Sequence, residues 1–399
     1  MRKLNKTAAC GILAAALAAG TLSGCSKAID GTKTVATVGD EKVTLGLASY
    51  MIRDQQAQTM SYYNMLMSQY GVSGSASNVW DQKGDDGKTV GESSKDSVMK
   101  TINQLYVLKA HAADYDVTIT EDEEKAIKEA AAEFIKDNDE KILKKLAVSE
   151  DDIVTYLELV TIRSKMHDPM TADVDTEVSA NEKDQTRVTI VKVSTEGTEK
   201  DDDGNTIDLT DEEKAQKKDL AQQVLDKVKA SDDVANADMD ALAKEVDDSL
   251  SATAPAFTTA GDTDDTLDEA VQDAALELKD GEVADKVIEG DDGYYVVRLD
   301  KMLDEDATEN KEKTVISERK SDLYDSTLED WVKEEKIKVK DKVWDQITVT
   351  DSVSFVYKSA DSSDDTESND AQDSTEDTSS QDNSEDTTTE DTAAEDSAE

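Results

Sequence analysis

Residues 276–287 of this 399-residue chain read LELKDGEVADKV. An amphipathic run ends at Lys279, Asp280 and Gly281, and apolar and polar residues alternate after it. A glycine just beyond the last helical residue is typical of a helix end, because glycine adopts the left-handed conformation without strain. The stretch therefore predicts a helix that stops with Gly281 in the C′ position and a strand that follows at once.

Upstream of this corner, the pattern over residues 35–185 is mostly helical. Thr120 is followed by Glu123, and Ser149 by Asp152, each just before an apolar run at helical spacing. These pairs match the capping box, in which two side chains satisfy free backbone N–H groups at the start of a helix. We therefore predict a mostly helical domain over residues 35–185.

The pattern changes near residue 186. Residues 187–193 read RVTIVKV, which predicts a strand, and helical runs follow before a second strand, GYYVVRLDKM, at 293–302. This order predicts a compact domain over residues 186–304. Residues 305–358 contain a long amphipathic helix, expected over 318–339, and a final strand, which together complete the helical domain.

The charge of the chain limits its partners. The formal net charge is −49, so nucleic acid is excluded as a partner, because phosphate binding needs basic faces. The segment 361–399 holds 16 acidic residues and no Lys or Arg. Such a composition buries too little apolar surface to offset chain entropy, and it predicts a disordered acidic tail over residues 359–399.

The N-terminus carries export signals. Basic residues precede an apolar run at 8–22, which is too short to span a bilayer comfortably, and residues 22–25 read LSGC. This motif resembles the lipobox of bacterial lipoproteins. The resemblance implies a signal peptide over 1–24, cleavage before Cys25, lipid on its sulfur and a linker over 25–34. The alternative is an ordinary signal peptide with an incidental cysteine. The expected location is the bacterial cell membrane, lipid-anchored on the extracytoplasmic face.

The middle domain has a recognisable order of motifs. Its helix-to-strand corner is preceded by Asp273-Ala274-Ala275, and residues 239–249 add a helix of the form MDALAKEVDDS. The domain resembles parvulin-type (PpiC, rotamase) peptidyl-prolyl cis-trans isomerases. With the lipobox and the split helical domain, the chain resembles PrsA-type foldase lipoproteins and, more distantly, SurA chaperones. This resemblance implies an α+β fold, in which a mostly helical SurA/PrsA-like chaperone domain carries an inserted parvulin-like domain with a small sheet.

The resemblance also implies a catalytic site. Parvulins carry two facing histidines, and these positions fall on Thr189 and Tyr295. His111 and His167 are the histidines of the chain, and both lie outside this domain. Thr and Tyr can still form a hydrogen bond with each other, so the fold does not require the histidine pair. The departure at both positions predicts weak or lost isomerase activity.

The substrate cup of the family falls on Phe257, Leu267 and Val271. The function implied is a foldase or chaperone whose partners are unfolded or partly folded exported proteins. Two alternatives stay open: an active isomerase with a histidine-free apolar pocket, and a solute-binding lipoprotein, which the lack of long α/β alternation disfavours. The sequence leaves the oligomeric state open.

No cofactor and no metal are expected. The acidic loop near residue 204 resembles a calcium loop, but with Gly204 at the sixth position the twelfth is Thr210 rather than Glu. His111 and His167 lack paired ligands in the sequence.

One helix is unusually rich in methionine and tyrosine. Flexible thioethers adapt to varied apolar surfaces, so this composition indicates either a client-binding face or a helix core, and both interpretations stay open. The residues are Tyr50, Met51, Met60, Tyr62, Tyr63, Met65, Met67 and Tyr70.

Overall fold

The computed structural model describes residues 16–19, 29–70, 78–198, 200, 206–260 and 267–358. Cys25, most of the predicted signal segment, most of the acidic loop and the predicted tail lie outside the described residues. The predictions made for those segments therefore stay predictions.

The first part of the described chain combines a small antiparallel hairpin with helices. The capping boxes predicted at Thr120 and Ser149 are confirmed: Glu123 and Asp152 each accept the cap residue's backbone N–H at 2.8 Å. The elements are β1 (Leu17–Ala19), β2 (Thr34–Val38), β3 (Glu41–Thr44), α1 (Leu45–Gln69), α2 (Val90–His111), α3 (Glu121–Asp137), α4 (Glu140–Leu146) and α5 (Glu150–Met170).

The second part is an antiparallel sheet flanked by helices. Its central strands are β4 (Gln185–Ser194) and β8 (Gly293–Lys301), which pair along their length. Strands β5 and β6 extend the sheet beyond β4, and β7 extends it beyond β8. The remaining elements are α6 (Ala180–Lys183), α7 (Asp211–Lys229), α8 (Met239–Lys244), β5 (Ala252–Thr253), β6 (Ala256–Thr258), α9 (Glu269–Leu276) and β7 (Ile288–Glu289).

The last part returns the chain to the helical part through α10 (Glu305–Glu334). The elements that follow are β9 (Lys338–Val339), α11 (Asp341–Trp344) and β10 (Phe355–Tyr357). The predicted helix over 318–339 was therefore wrong at both ends. The helix begins earlier, at Glu305, and β9 instead pairs with β2, because that pairing satisfies backbone groups at the edge of the hairpin.

The corner at Gly281 also differs from its prediction. Helix α9 ends at Leu276, so Gly281 is not the C′ residue. Gly281 lies in a turn closed by the Glu282 N–H, which donates to the Lys279 carbonyl at 2.8 Å, and its φ is +81°. A positive φ at the third residue defines a type II turn. The Gly281 N–H then donates to the Leu299 carbonyl at 2.7 Å and begins the pairing with β8.

The hydrophobic core of the described residues has three clusters. The largest joins α1 to α5 with Leu328 of α10, Trp344 of α11 and Phe355 of β10. The other two lie on opposite faces of the β4–β8 sheet, one under α7 and α8 and one under α9. The α+β class is thereby confirmed. Within the described residues, every helix is too short or too polar to cross a bilayer.

Candidate functional site

The central sheet of the second part places the two predicted catalytic positions on opposite faces. Thr189 lies opposite Arg298 in the register of β4 and β8, and Tyr295 lies opposite Lys192. The Thr189 hydroxyl donates to Asp300 Oδ2 at 2.6 Å and accepts from Arg298 Nη2 at 3.3 Å. Thr189 therefore belongs to a polar group on the face covered by α7 and α8.

Tyr295 belongs to the other face, which α9 covers. Its hydroxyl donates a hydrogen bond to Asp292, and the same carboxylate accepts one from Lys192. Burial raises the pKa of Tyr295, and the Asp292 carboxylate raises it further. The hydrogen bonds from Lys192 and then from Tyr295 lower the pKa of Asp292. Tyr295 is thus a neutral hydrogen-bond donor whose proton already has an acceptor.

Thr189 and Tyr295 therefore do not form a hydrogen bond with each other; their hydroxyl groups donate to Asp300 and Asp292. Successive side chains of a strand point to opposite faces, so a shift of one residue moves a side chain to the other side of the sheet. The β4 residues that share the hydrophobic cluster of Tyr295 are Val188 and Ile190. Neither valine nor isoleucine can replace a histidine as a hydrogen-bonding partner.

The structure does bring the predicted cup residues together. Phe257 of β6, Val271 of α9 and the partly buried Leu267 lie in one cluster with Tyr295. Phe257 and Val271 are both 0% exposed, however, so they pack as core. A binding cup must present apolar surface to its ligand, and these two side chains present none in this conformation.

Sequence reasoning missed the polar group Lys192–Asp292–Tyr295. Its sequence signal is weak: Lys192 interrupts an otherwise apolar stretch of β4, and Asp292 lies just before β8. In space, Lys192 and Tyr295 are strand partners, which places the Lys192 ammonium 6.0 Å from the Tyr295 ring centroid. The group can donate and accept hydrogen bonds, but the Lys192 ammonium and the Asp292 carboxylate already form an ion pair with each other.

The two histidines pack against aromatic side chains of α10. The His111 ring stacks on Trp331, with ring centroids 4.0 Å apart and planes 12° apart, and the His167 ring lies 5.5 Å from Tyr324. Within the described residues, no cluster of three His, Cys, Asp or Glu side chains is arranged to hold a metal ion.

Helix α1 combines both interpretations of its methionines and tyrosines. Its first half is core: Tyr50, Met51 and Met60 are buried, and the Tyr50 ring contacts Phe134 at 5.3 Å and Tyr156 at 4.9 Å between centroids. The second half lies largely in solvent. We call this exposed half the α1 patch; it consists of Tyr62 (58% exposed), Met65 (62%) and Tyr70 (74%), with the half-buried Tyr63 and Met67.

Comparison with known families bears on the second part of the chain. Residues 199–313 match the model of the PPIC-type PPIASE domain, which confirms the predicted resemblance to parvulins for this segment. No curated protein sequence matches the chain.

Several solved structures are similar to the chain at low identity. A foldase protein (PrsA) from Lactococcus lactis is 14% identical, with 78% of this chain and 96% of that one covered and a TM-score of 0.31. A peptidylprolyl isomerase (PrsA) from Bacillus cereus is 19% identical, with 67% and 96% covered and a TM-score of 0.29. A structure described as one of two SurA-like chaperones of Campylobacter jejuni is 13% identical, with 65% and 99% covered and a TM-score of 0.18.

Proposed function

We propose that this protein is an extracytoplasmic chaperone, or foldase, that holds unfolded or partly folded exported proteins. Its parvulin-like domain contributes little or no prolyl isomerisation. A lipid on Cys25 tethers the chain to the bacterial cell membrane.

The observation that carries the proposal is the α1 patch. Soluble proteins expose single hydrophobic side chains everywhere, but a group of large ones on one element indicates an interaction surface. Tyr62, Met65 and Tyr70 are the most exposed large hydrophobic residues of the described chain, and all three follow one another along α1 and its C-cap. Methionine adapts its shape and tyrosine adds a polar tip, which suits varied clients.

The burial of Phe257 and Val271, two of the residues predicted to form the substrate cup, favours chaperone activity over isomerase activity. Rotation about an X-Pro bond has a barrier of roughly 18–20 kcal/mol, and a catalyst must favour the twisted amide over the planar one. Phe257 and Val271 are buried, Ile190 lies on the face of Tyr295, and the Tyr295 hydroxyl is bonded to Asp292. These contacts occupy the hydroxyl of Tyr295 and bury two of the three predicted cup residues, while Leu267 stays partly exposed. A histidine-free isomerase is thus the second candidate.

A solute-binding function has less support. Two-lobed binding proteins use parallel sheets with alternating helices, and their ligands bind at the ends of the strands. The pairings of the β4–β8 sheet are all antiparallel among the described strands.

The chaperone proposal is tested by suppression of client aggregation. We expect the triple variant Tyr62→Gln, Met65→Gln and Tyr70→Gln to reduce suppression several-fold, because glutamine keeps helix propensity and removes apolar surface. The matched control is Ile207→Gln with Leu303→Gln, which removes two residues that are 47% and 50% exposed elsewhere. Equal suppression by the wild type and the triple variant would refute the role of the α1 patch.

The isomerase candidate is tested with the same preparations on an X-Pro peptide. We expect a rate near the uncatalysed one for wild type and for Tyr295→Phe. A wild-type rate close to that of a histidine-bearing parvulin, abolished by Leu267→Ala, would make the second candidate the correct one.

The anchor is tested by Cys25→Ala. Without the sulfur, the protein should be released from membranes or keep its signal segment. A processed Cys25→Ala protein of wild-type size in the membrane fraction would refute lipid attachment.

A further inference from the structure

Strand β1 belongs to the segment that the sequence predicts to be removed, yet it is packed into the body of the protein. Residues Leu17–Ala19 pair antiparallel with β10, with Leu17 opposite Tyr357 and Ala19 opposite Phe355. Leu17 is 3% exposed and belongs to the large hydrophobic cluster of the helical part. Three residues of a predicted signal segment thus occupy a defined site between β10 and α4, which we call the β10 site.

The β10 site has a fixed polar group at one end. Asn138, which follows α3, is 6% exposed. Its Nδ2 donates to the Phe134 carbonyl at 2.8 Å, so the orientation of the amide is set. Its Oδ1 accepts the backbone N–H of Leu17 at 2.9 Å. The contact recognises the main chain of the occupant and not its side chain.

The other side of the site is held rigidly. Tyr357 donates from its hydroxyl to Asp54 Oδ1 at 3.0 Å, and the Arg53 guanidinium lies 5.1 Å from the centroid of the Phe355 ring. Just before β10, Gln56 Nε2 donates to the Val353 carbonyl at 2.9 Å. Helix α1 therefore positions β10 without help from β1.

Cleavage before Cys25 would empty this site. Among the described strands β10 pairs with β1 alone, so β10 would lose its only strand partner. The buried Asn138 Oδ1 would lose the N–H that it accepts. Unpaired strand edges and buried acceptors without donors are both unfavourable. A new extended segment would pair with the edge of β10 and donate a backbone N–H to Asn138.

We propose that, after processing, the β10 site binds an extended apolar segment of an unfolded exported polypeptide by antiparallel strand addition to β10. In the precursor, residues 17–19 of the chain itself keep the site closed. The inference rests on the proposed function and on removal of residues 1–24, and it adds a second client site to the α1 patch. Such a site recognises the backbone of the client and buries one of its apolar side chains, so it can bind clients of many sequences.

The test uses residues 26–399, which contain neither Cys10 nor Cys25, and a fluorescent peptide of residues 14–21, AAALAAGT. We expect saturable binding of this peptide and at least about tenfold weaker binding of its Leu17→Asp form. The full chain with Cys25→Ala should bind the peptide at least about tenfold more weakly than residues 26–399, because its own segment fills the site.

Asn138→Ala should weaken binding by about fivefold to tenfold, as expected for one hydrogen bond of about 1 kcal/mol. The matched control is Asn310→Ala, which changes an exposed residue of α10. Thermal midpoints of both variants show whether the fold is kept. Wild-type peptide affinity in a folded Asn138→Ala protein would refute the proposed recognition.

Disulfide trapping tests the register without relying on Asn138. A Tyr357→Cys protein should form a disulfide with a Leu17→Cys peptide, because these positions are strand partners. It should not do so with an Ala18→Cys peptide, whose side chain points to the other face. Trapping of both peptides, or of neither, would overturn the inference. If aggregation suppression persists without peptide binding, the β10 site fails and the proposed function stands. Peptide binding without aggregation suppression would refute the proposed function and, with it, the assignment of the β10 site to clients.

Discussion

At the scale of the residue, Gly281 satisfies two constraints at one position. Its φ of +81° lies in the left-handed region that side chains disfavour. A Cβ atom there would also lie 2.6 Å from the Cβ of Ala235, which is closer than real Cβ contacts. The turn between α9 and β7 therefore needs glycine for its backbone conformation and for its close approach to a neighbouring segment.

We expect Gly281→Ala to lower the free energy of unfolding by at least about 2 kcal/mol, of which about 1 kcal/mol comes from backbone strain and the rest from the contact with Ala235. Gly87→Ala is the matched control, because Gly87 has a φ of +79° and nothing within 4 Å of the added atom. Gly87→Ala should lower the free energy of unfolding by only about 1 kcal/mol. Chemical denaturation measures both variants. Equal losses would show that the contact with Ala235 is unimportant, and adding Ala235→Gly should recover the excess loss in Gly281→Ala.

At the scale of the element, Asp304 determines where α10 begins. Its Oδ1 accepts the Ala307 N–H at 2.9 Å, and its other oxygen accepts from the Arg187 guanidinium. Its own N–H donates to the Gln185 carbonyl at 2.8 Å. One residue therefore caps the helix and joins it to β4, which explains why α10 starts before the amphipathic pattern becomes clear.

The Ala307 N–H and then Arg187 lower the pKa of Asp304 below its ordinary value of 3.8. A lowered pKa in the folded state stabilises the protein above the ordinary value, and this stability is lost as the pH falls through the folded value. We expect Asp304→Asn, which keeps the cap and loses the charge, to reduce stability by about 1–3 kcal/mol at pH 7. The difference from wild type should be constant above about pH 5 and shrink below the ordinary pKa of 3.8.

Denaturation as a function of pH measures this effect. Asp238→Asn is the control, because Asp238 is an exposed N-cap of α8 whose Oδ1 accepts the Ala241 N–H at 3.0 Å, and Asn caps as well as Asp. A loss of stability in Asp304→Asn that does not depend on pH would contradict a role for the charge of Asp304.

At the scale of the whole molecule, the chain leaves the helical part at α6 and returns to it along α10. Two ion pairs join α6 to α10: Lys183 with Glu312 at 2.8 Å and Arg319 with Glu182 at 2.5 Å. Residues beyond α10 then enter the core of the first part: Ile347 and Phe355 are 0% exposed. The helical part is therefore built from segments far apart in sequence.

Two truncations test this arrangement. Ending the chain after Lys336 removes Trp344, Ile347 and Phe355, and each buried side chain of this size contributes about 2–5 kcal/mol. The sum exceeds the stability of an ordinary domain, so the helical part should lose its cooperative thermal transition. Ending the chain after Lys358 removes only the acidic segment, whose composition offers no core, and should leave the thermal midpoint unchanged. A folded chain ending at Lys336, or a midpoint several degrees lower in the chain ending at Lys358, would contradict this view.

The sequence alone determined the features that depend on neighbours along the chain. The capping boxes at Thr120 and Ser149 were predictable because the cap and its partner are three residues apart. The positions of most helices and strands follow from local periodicity and turn residues, which each segment carries by itself. The α+β class was implied by the resemblance to parvulins and PrsA-type foldases.

Tertiary structure decided what depends on partners distant in sequence. Residues Lys338 and Val339 pair with β2 instead of continuing the predicted helix, which ends at Glu334. Gly281 pairs with β8 and lies in a turn instead of at a helix end. The register of β4 against β8 placed Thr189 and Tyr295 on opposite faces, because a strand alternates its side chains and a single residue changes the face. Other elements cover the first half of α1 and leave the second half exposed, and this decides which of its tyrosines and methionines are buried. No pattern within the helix contains that information.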